Sequence, residues 1–229
     1  AEKALVLSEA WIDRYAVVTR GAVVAEKAAG GFAEAYRTLS AWEDSGEVLR
    51  GYIVEGLGGA QFAPRDVISQ LRRAQDGRGG EAMNNSEASV PLLLSVLDPA
   101  NPYGSTLPWP RSSTVQPGSS SAELMAPTRS AGAMIIVAAG RAEAYVSRGG
   151  KNVVFFARPD FNDATSESPA IPAAQIDLVV RVLREAVRAG RLSPVTVEKV
   201  NGSSVMDINS MDWVAAGARL TPKGLSIRA

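Results

Sequence analysis

The sequence predicts an α+β protein: a helical head tipped by a β-hairpin, then an antiparallel, barrel-like β domain with one long helix packed on it. Three features point there. Residues 14–63 hold three helical patterns and then two apolar strands around a Gly-rich tip. Residues 132–157 alternate short apolar runs with Gly-bearing turns, as a β-meander does. Residues 172–189 place apolar side chains at helical spacing between a proline and a glycine.

The first helix is expected over 4–15, with Ser8 as the cap of a shorter alternative. Thr19 suits the N-cap of a second helix that ends before Gly30 and Gly31. The third runs from Phe32 to Ser45 and turns Phe32, Ala35, Tyr36, Leu39 and Trp42 to one side, with Gly46 just past its end. Strands 48–54 and 60–63 flank a tip at 55–59, and a helix over 65–75 points Val67, Ile68 and Leu71 inward. This order is the plan of a winged helix, a helix-turn-helix extended by a hairpin. Residues 1–76 therefore read as a winged-helix module.

Residues 77–89 are rich in Gly, Asn and Ser and read as a linker, which leaves 90–229 as the β-barrel-like domain. That domain opens on an apolar strand over 90–97. A Pro/Ser-rich loop follows, with 112–122 expected to be mobile. Strands at 132–138, 142–147 and 152–157 form the meander. The helix over 172–189 takes Pro172 as its first residue and buries Ile176, Val179, Val180, Leu183 and Val187. A strand over 195–200, a short helix near 208–217 and strands 218–221 and 224–227 complete the chain.

Composition narrows the chemistry. The 229 residues carry 24 Lys+Arg and 24 Asp+Glu, so a globally basic nucleic-acid binder is excluded and any such surface must be local. With no Cys and no His there are no disulfides, no Cys zinc site, no metal centre of that kind and no imidazole base. The absence of Cys fits a cytoplasmic protein. No apolar run reaches the ~18–20 residues of a membrane span. The start lacks a basic leader and an initiator Met, as an excised fragment would.

The segment 14–63 resembles the winged-helix module near the C-terminal end of Lhr-type (large helicase-related) bacterial DNA helicases. LLLSVLDPANPYGSTLPWP (92–110) looks like the entry to that family's following β-barrel, and RLTPKGLSIR (219–228) like its C-terminal signature. The same pairing is similar to DNA glycosylases of the AlkZ type, whose barrel opens with a related Asp-Pro segment. The resemblance implies an ATP-dependent motor far upstream, with ATP and Mg required only there. The chain itself has no G-x-x-x-x-G-K-[ST]; Gly149-Gly150-Lys151 continues with Asn152 in an expected hairpin, so no ATP hydrolysis and no cofactor are expected of it. Implied partners are DNA and the upstream helicase domains, at a nucleoid-associated location.

Candidate contacts follow. In a DNA-gripping winged helix the third helix reads the groove, which offers Arg37, with Arg20 and Arg50 as further phosphate contacts. Residues 1–65 carry seven Lys/Arg against nine Asp/Glu, so this head is a poor independent binder or else a structural module. Gln61 in the strand after the tip reads either as a base-edge contact or as a polar hairpin residue. Asp98 ends an apolar strand: a carboxylate there could stabilise oxocarbenium character at a flipped nucleotide, or simply cap the turn set by Pro99 and Pro102. Tyr103 and Trp109, with Asn101, share that loop and could stack on a base or plug the domain. Arg148 and Lys151 on a hairpin tip, and Arg181, Arg184, Arg188 and Arg191 on the long helix, read as a solvated face or as a phosphate track. Three functions stand open: an accessory DNA-binding or assembly module in repair, a base-excision module for damaged or uracil-containing DNA, and a homo-oligomerisation platform.

Overall fold

A computed structural model describes residues 2–76, 90–113, 126–158 and 171–229. The predicted linker 77–89 and most of the stretch expected to be mobile lie outside the described residues. The described residues form two compact units: 2–76 with 102–108, and 90–101 with 109–229.

The first unit runs α1 (Glu2–Tyr15), α2 (Arg20–Ala25), α3 (Gly31–Ser45), β1 (Val48–Gly51), β2 (Gln61–Pro64) and α4 (Arg65–Asp76). Thr19 starts α2 by accepting a hydrogen bond from the Ala22 amide at 3.1 Å on its Oγ1. α2 stops at Ala25, short of the expected glycines, because Lys27 turns the chain with φ 52°. Gly46, at φ 83°, ends α3 and returns its amide to the carbonyls of Trp42 and Glu43. Trp11, Val18, Val23, Ala35, Leu39, Val48 and Phe62 make the core, so α1, α2, α3 and the hairpin share one apolar centre. β1 and β2 pair antiparallel from Val48↔Pro64 to Gly51↔Gln61, and Val18 exchanges both backbone hydrogen bonds with Phe62 beside them. These are the parts of a winged helix. Ser8 lies buried within α1 and caps nothing. Leu71 was expected inward but is 45% exposed, since α4 contacts this unit chiefly through β2.

The second unit runs β3 (Leu92–Ser95), β4 (Met134–Ala138), β5 (Arg141–Val146), a 3₁₀ turn (Arg148–Gly150), β6 (Asn152–Phe155), α5 (Ala173–Arg188), β7 (Val195–Val197), β8 (Lys199–Val200), β9 (Ser203–Ser204), α6 (Met211–Ala215), β10 (Arg219–Thr221) and β11 (Gly224–Ile227). One sheet has the order β3-β4-β5-β6-β8-β9 and the other β10-β11-β7. The expected meander is β4 to β6, paired antiparallel. The expected barrel is not found. Among the described residues β3 and β9 are the two ends of an open sheet, and closure would require them to pair. α5 instead lays Ile176, Val179, Val180 and Leu183 into one core with Ile136, Val146 and Phe155 of the large sheet and Val195, Val197 and Leu225 of the small one. The single strand expected over 195–200 divides at Glu198, whose amide and that of Lys199 both reach the Lys151 carbonyl, at 2.7 and 3.0 Å. β7 thereby joins the small sheet, while β8 runs parallel to β6 in the large one. Pro172 precedes α5 as its N-cap, in extended conformation (ψ 135°), rather than as its first residue.

Candidate nucleic-acid interface

α2 and α3 meet at an angle fixed by their shared core, leaving a groove of about 630 Å³ between them. Arg20 stands at the start of α2 on one side, and Phe32, Tyr36 and Arg37 of α3 on the other. Arg37 also borders a second groove, of about 440 Å³, between α1 and α3. It therefore forms the ridge between the two. Arg20 and Arg37 are exposed and take part in no ion pair among the described residues.

Arg50 is placed differently. Its Nε lies 3.1 Å from a Glu43 carboxylate oxygen, its Nη1 donates to the Tyr36 hydroxyl, and its guanidinium sits 5.7 Å from the Tyr36 ring centre. It ties β1 to α3, and Glu43 offsets its charge, so its expected role as a phosphate contact is weakened. The structure thus brings Arg20, Arg37 and Arg50 together around one tyrosine, with two of the three cations uncommitted.

Two acids of this unit are held in ion pairs, Glu26 with Arg14 and Glu43 with Arg50, which removes as many bases as acids and leaves the excess of acids unchanged. Glu26 accepts hydrogen bonds from Trp11 Nε1 at 2.9 Å and the Tyr15 hydroxyl at 2.7 Å, and is ion-paired with Arg14. Burial alone would push the Glu26 carboxyl up, but the hydrogen bonds from Tyr15, Trp11 and Arg14 outweigh it and hold the group below its ordinary value of 4.5. A carboxyl that titrates lower when folded stabilises the fold fully above the unfolded value and loses that contribution as pH falls through the folded one. Glu26→Gln should therefore cost about 1–2 kcal/mol at neutral pH and flatten the acid limb of stability below about pH 4.5, read by denaturant melts across pH. An unchanged acid limb would contradict this.

Gln61 is fully buried rather than presented to solvent. Its Oε1 accepts from the Val54 amide at 2.7 Å, and its Nε2 donates to the carbonyls of Val54, at 2.9 Å, and Gly58. This corrects the base-edge expectation: every polar atom of the side chain braces the hairpin tip. It also explains why β1 ends at Gly51, since Val54 takes its partners from a side chain instead of a strand.

In the second unit Asp98 makes the turn-capping contact, with Oδ1 accepting from the Ala100 amide at 2.9 Å and its carbonyl accepting from the Asn101 amide at 2.9 Å. Asn101 is buried and donates to the Val96 carbonyl at 2.9 Å. Trp109 packs edge-on to Tyr145 and stacks on Phe156, with centroids 5.7 and 6.3 Å away, so it is a packing residue and not an open base platform. Tyr103 belongs to the first unit, half-buried in the turn that ends at Leu107. Lys151 is ion-paired with Glu198 at 2.9 Å. Arg148 is exposed, with its aliphatic stem against Gly132. On α5, Arg181 pairs with Asp177 and Arg188 with Glu185, while the Arg184 guanidinium lies against Gly217. These exposed pairs are worth little individually, and the expected arginine track is broken up by them.

Sequence reasoning missed Tyr52, which is 86% exposed beside the hairpin tip. The signal was its place between Gly51 and the Gly-rich tip, where no apolar neighbour covers a ring. It also missed Glu143, an acid inside an apolar strand, which is 2% exposed.

The helical trio, the hairpin and the two-groove face of α3 define a winged-helix protein. A family model described as "Large helicase-related protein, winged-helix domain" matches residues 1–83. The chain is 35% identical over 229 residues to "Lhr helicase/ probable uracil glycosylase" of Mycolicibacterium smegmatis, covering 96% of this chain and 14% of that protein. It is 39% identical over 153 residues to "Lhr helicase/uracil glycosylase" of Escherichia coli, covering 67% of this chain and 9% of that protein. The chain belongs to the Lhr family and corresponds to its C-terminal region, spanning a small part of the length of these relatives. No described helix is long and apolar enough to cross a membrane.

Proposed function

We propose that this segment is an accessory nucleic-acid-holding module of a larger DNA helicase, acting in repair at the nucleoid, with the motor in upstream domains of the same polypeptide. The observation that carries the reading is the placing of Arg20 and Arg37, two exposed cations with no ion pair among the described residues, across one groove beside α3. Each cation that meets a phosphate releases counterions and steepens the salt dependence of binding by ~0.7 on single strands and ~0.9 on duplex DNA. Replacing both Arg20 and Arg37 with Ala should reduce the slope of log K against log salt by about 1.4–1.8. An unchanged slope would remove the groove from the contact surface.

A second reading is base excision, supported by the words "uracil glycosylase" in the names of both relatives. Asp98 is the carboxylate it would use, with one oxygen committed to the turn. Asp98→Asn should abolish release of uracil from a uracil-bearing oligonucleotide while leaving DNA binding intact. Equal release by both proteins would exclude Asp98 from the chemistry.

A further inference from the structure

We propose that Tyr52 is a stacking platform for an unpaired nucleobase, so that the wing holds single-stranded nucleic acid while the α2–α3 groove holds its phosphates. The inference rests on the groove reading above and adds to it the kind of strand recognised. Tyr52 is 86% exposed, the most exposed large hydrophobic side chain among the described residues. A ring left in water has an unspent apolar face, and every base offers a matching one. The platform is built rather than loose. The Tyr52 ring crosses the wing at Gly59, where a Cβ would stand 2.9 Å from Cζ and 3.1 Å from the hydroxyl oxygen, so only glycine leaves this pose open. Buried Gln61 clamps Val54 and Gly58, on the two sides of the tip, and holds the loop that carries the ring.

Arg50, two residues earlier, occupies the exposed position of β1. Its position is fixed by Glu43 and Tyr36. The surroundings of the ring favour a base over a protein partner. Gly59 meets it with bare backbone, whereas a protein hot spot needs a rim of side chains to exclude water. Single strands are favoured over duplex because a base must be unstacked from its neighbours before a ring can lie on it.

The test uses a single-stranded 12-mer carrying one 2-aminopurine, with affinity and fluorescence read across a salt series. Stacking of this kind is worth 1–3 kcal/mol per base, so Tyr52→Ala should weaken binding about 5- to 150-fold and remove the 2-aminopurine quench without changing the salt slope. Tyr52→Phe should keep both, and Gly59→Ala should weaken both by displacing the ring. Tyr52→Ala with unaltered affinity and quench would overturn the proposal. Salt-dependent binding with no Tyr52-dependent quench would sink the stacking and leave the groove standing. Tyr52-dependent quench with no salt slope would sink the groove and leave the stacking. Self-association that requires Tyr52, seen by light scattering without any quench, would assign the ring to a protein contact and also overturn the proposal.

Discussion

Phe62→Ala is expected to destabilise the winged-helix unit by about 3–5 kcal/mol, enough to unfold it in much of the population. Phe62 is fully buried, it meets the Tyr36 ring edge-on at 5.6 Å, and its backbone joins Val18 on one side and Arg50 on the other. Removing the ring leaves a cavity at the junction of the helices and the hairpin. It also frees Tyr36, the residue on which Arg50 rests. Loss of stability should therefore carry loss of nucleic-acid binding with it. Phe62→Leu, which keeps most of the volume, should cost less than about 1.5 kcal/mol. Denaturant melts followed through Trp11 and Trp42 fluorescence, with hydrogen exchange to locate the change, would read both. A midpoint for Phe62→Ala within error of the parent would contradict this description of the core.

The second large effect belongs to the other unit. Glu143 is almost wholly buried, with its carboxylate 2.8 Å and 2.9 Å from two nitrogens of Arg158 and 3.1 Å from Gln175 Nε2. The same Gln175 nitrogen also reaches the carbonyls of Glu143 and Phe156, so the cluster ties α5 to β5 and to the end of β6. Removing one member of a buried pair costs about 3–5 kcal/mol, because the remaining charge keeps its desolvation penalty. Arg158 retains 18% exposure, which places Glu143→Ala near 3 kcal/mol, the low end. Replacing Glu143, Arg158 and Gln175 together with apolar residues of similar volume should recover much of that loss, since the desolvation penalty leaves with the charges. Melts followed through Trp213 would measure it. A triple variant no more stable than Glu143→Ala would show that the cluster holds the unit together by its hydrogen bonds alone.

Local signals carried most of the fold. Thr19 and Gly46 marked helix ends because caps are made within a few residues of chain, and the stripe on α5 was visible because helical spacing alone decides which side is apolar. That the sheet stays open instead of closing into the expected barrel was not legible, since closure depends on which distant strands pair, and nothing within β3 or β9 specifies that. The division of 195–200 at Glu198 depends on the Lys151 carbonyl, a partner far away in sequence. The candidate contacts divide on the same basis. Arg20 and Arg37 could be named because an exposed cation near the third helix needs only local context. The partners of Gln61 and Arg50 could not be named because they lie across the hairpin or on α3. Tyr52 was overlooked because strand propensity treats a tyrosine as something to be covered, and its exposure is a property of the wing's shape.

The most direct test of the α2–α3 groove and wing as the contact surface is photo-cross-linking of a single-stranded oligonucleotide to this chain, with adducts located by peptide mass spectrometry. Adducts should concentrate on peptides spanning residues 20–37 and 50–59. Adducts confined to the second unit, on α5 or around Arg148, with none in the winged helix, would contradict it.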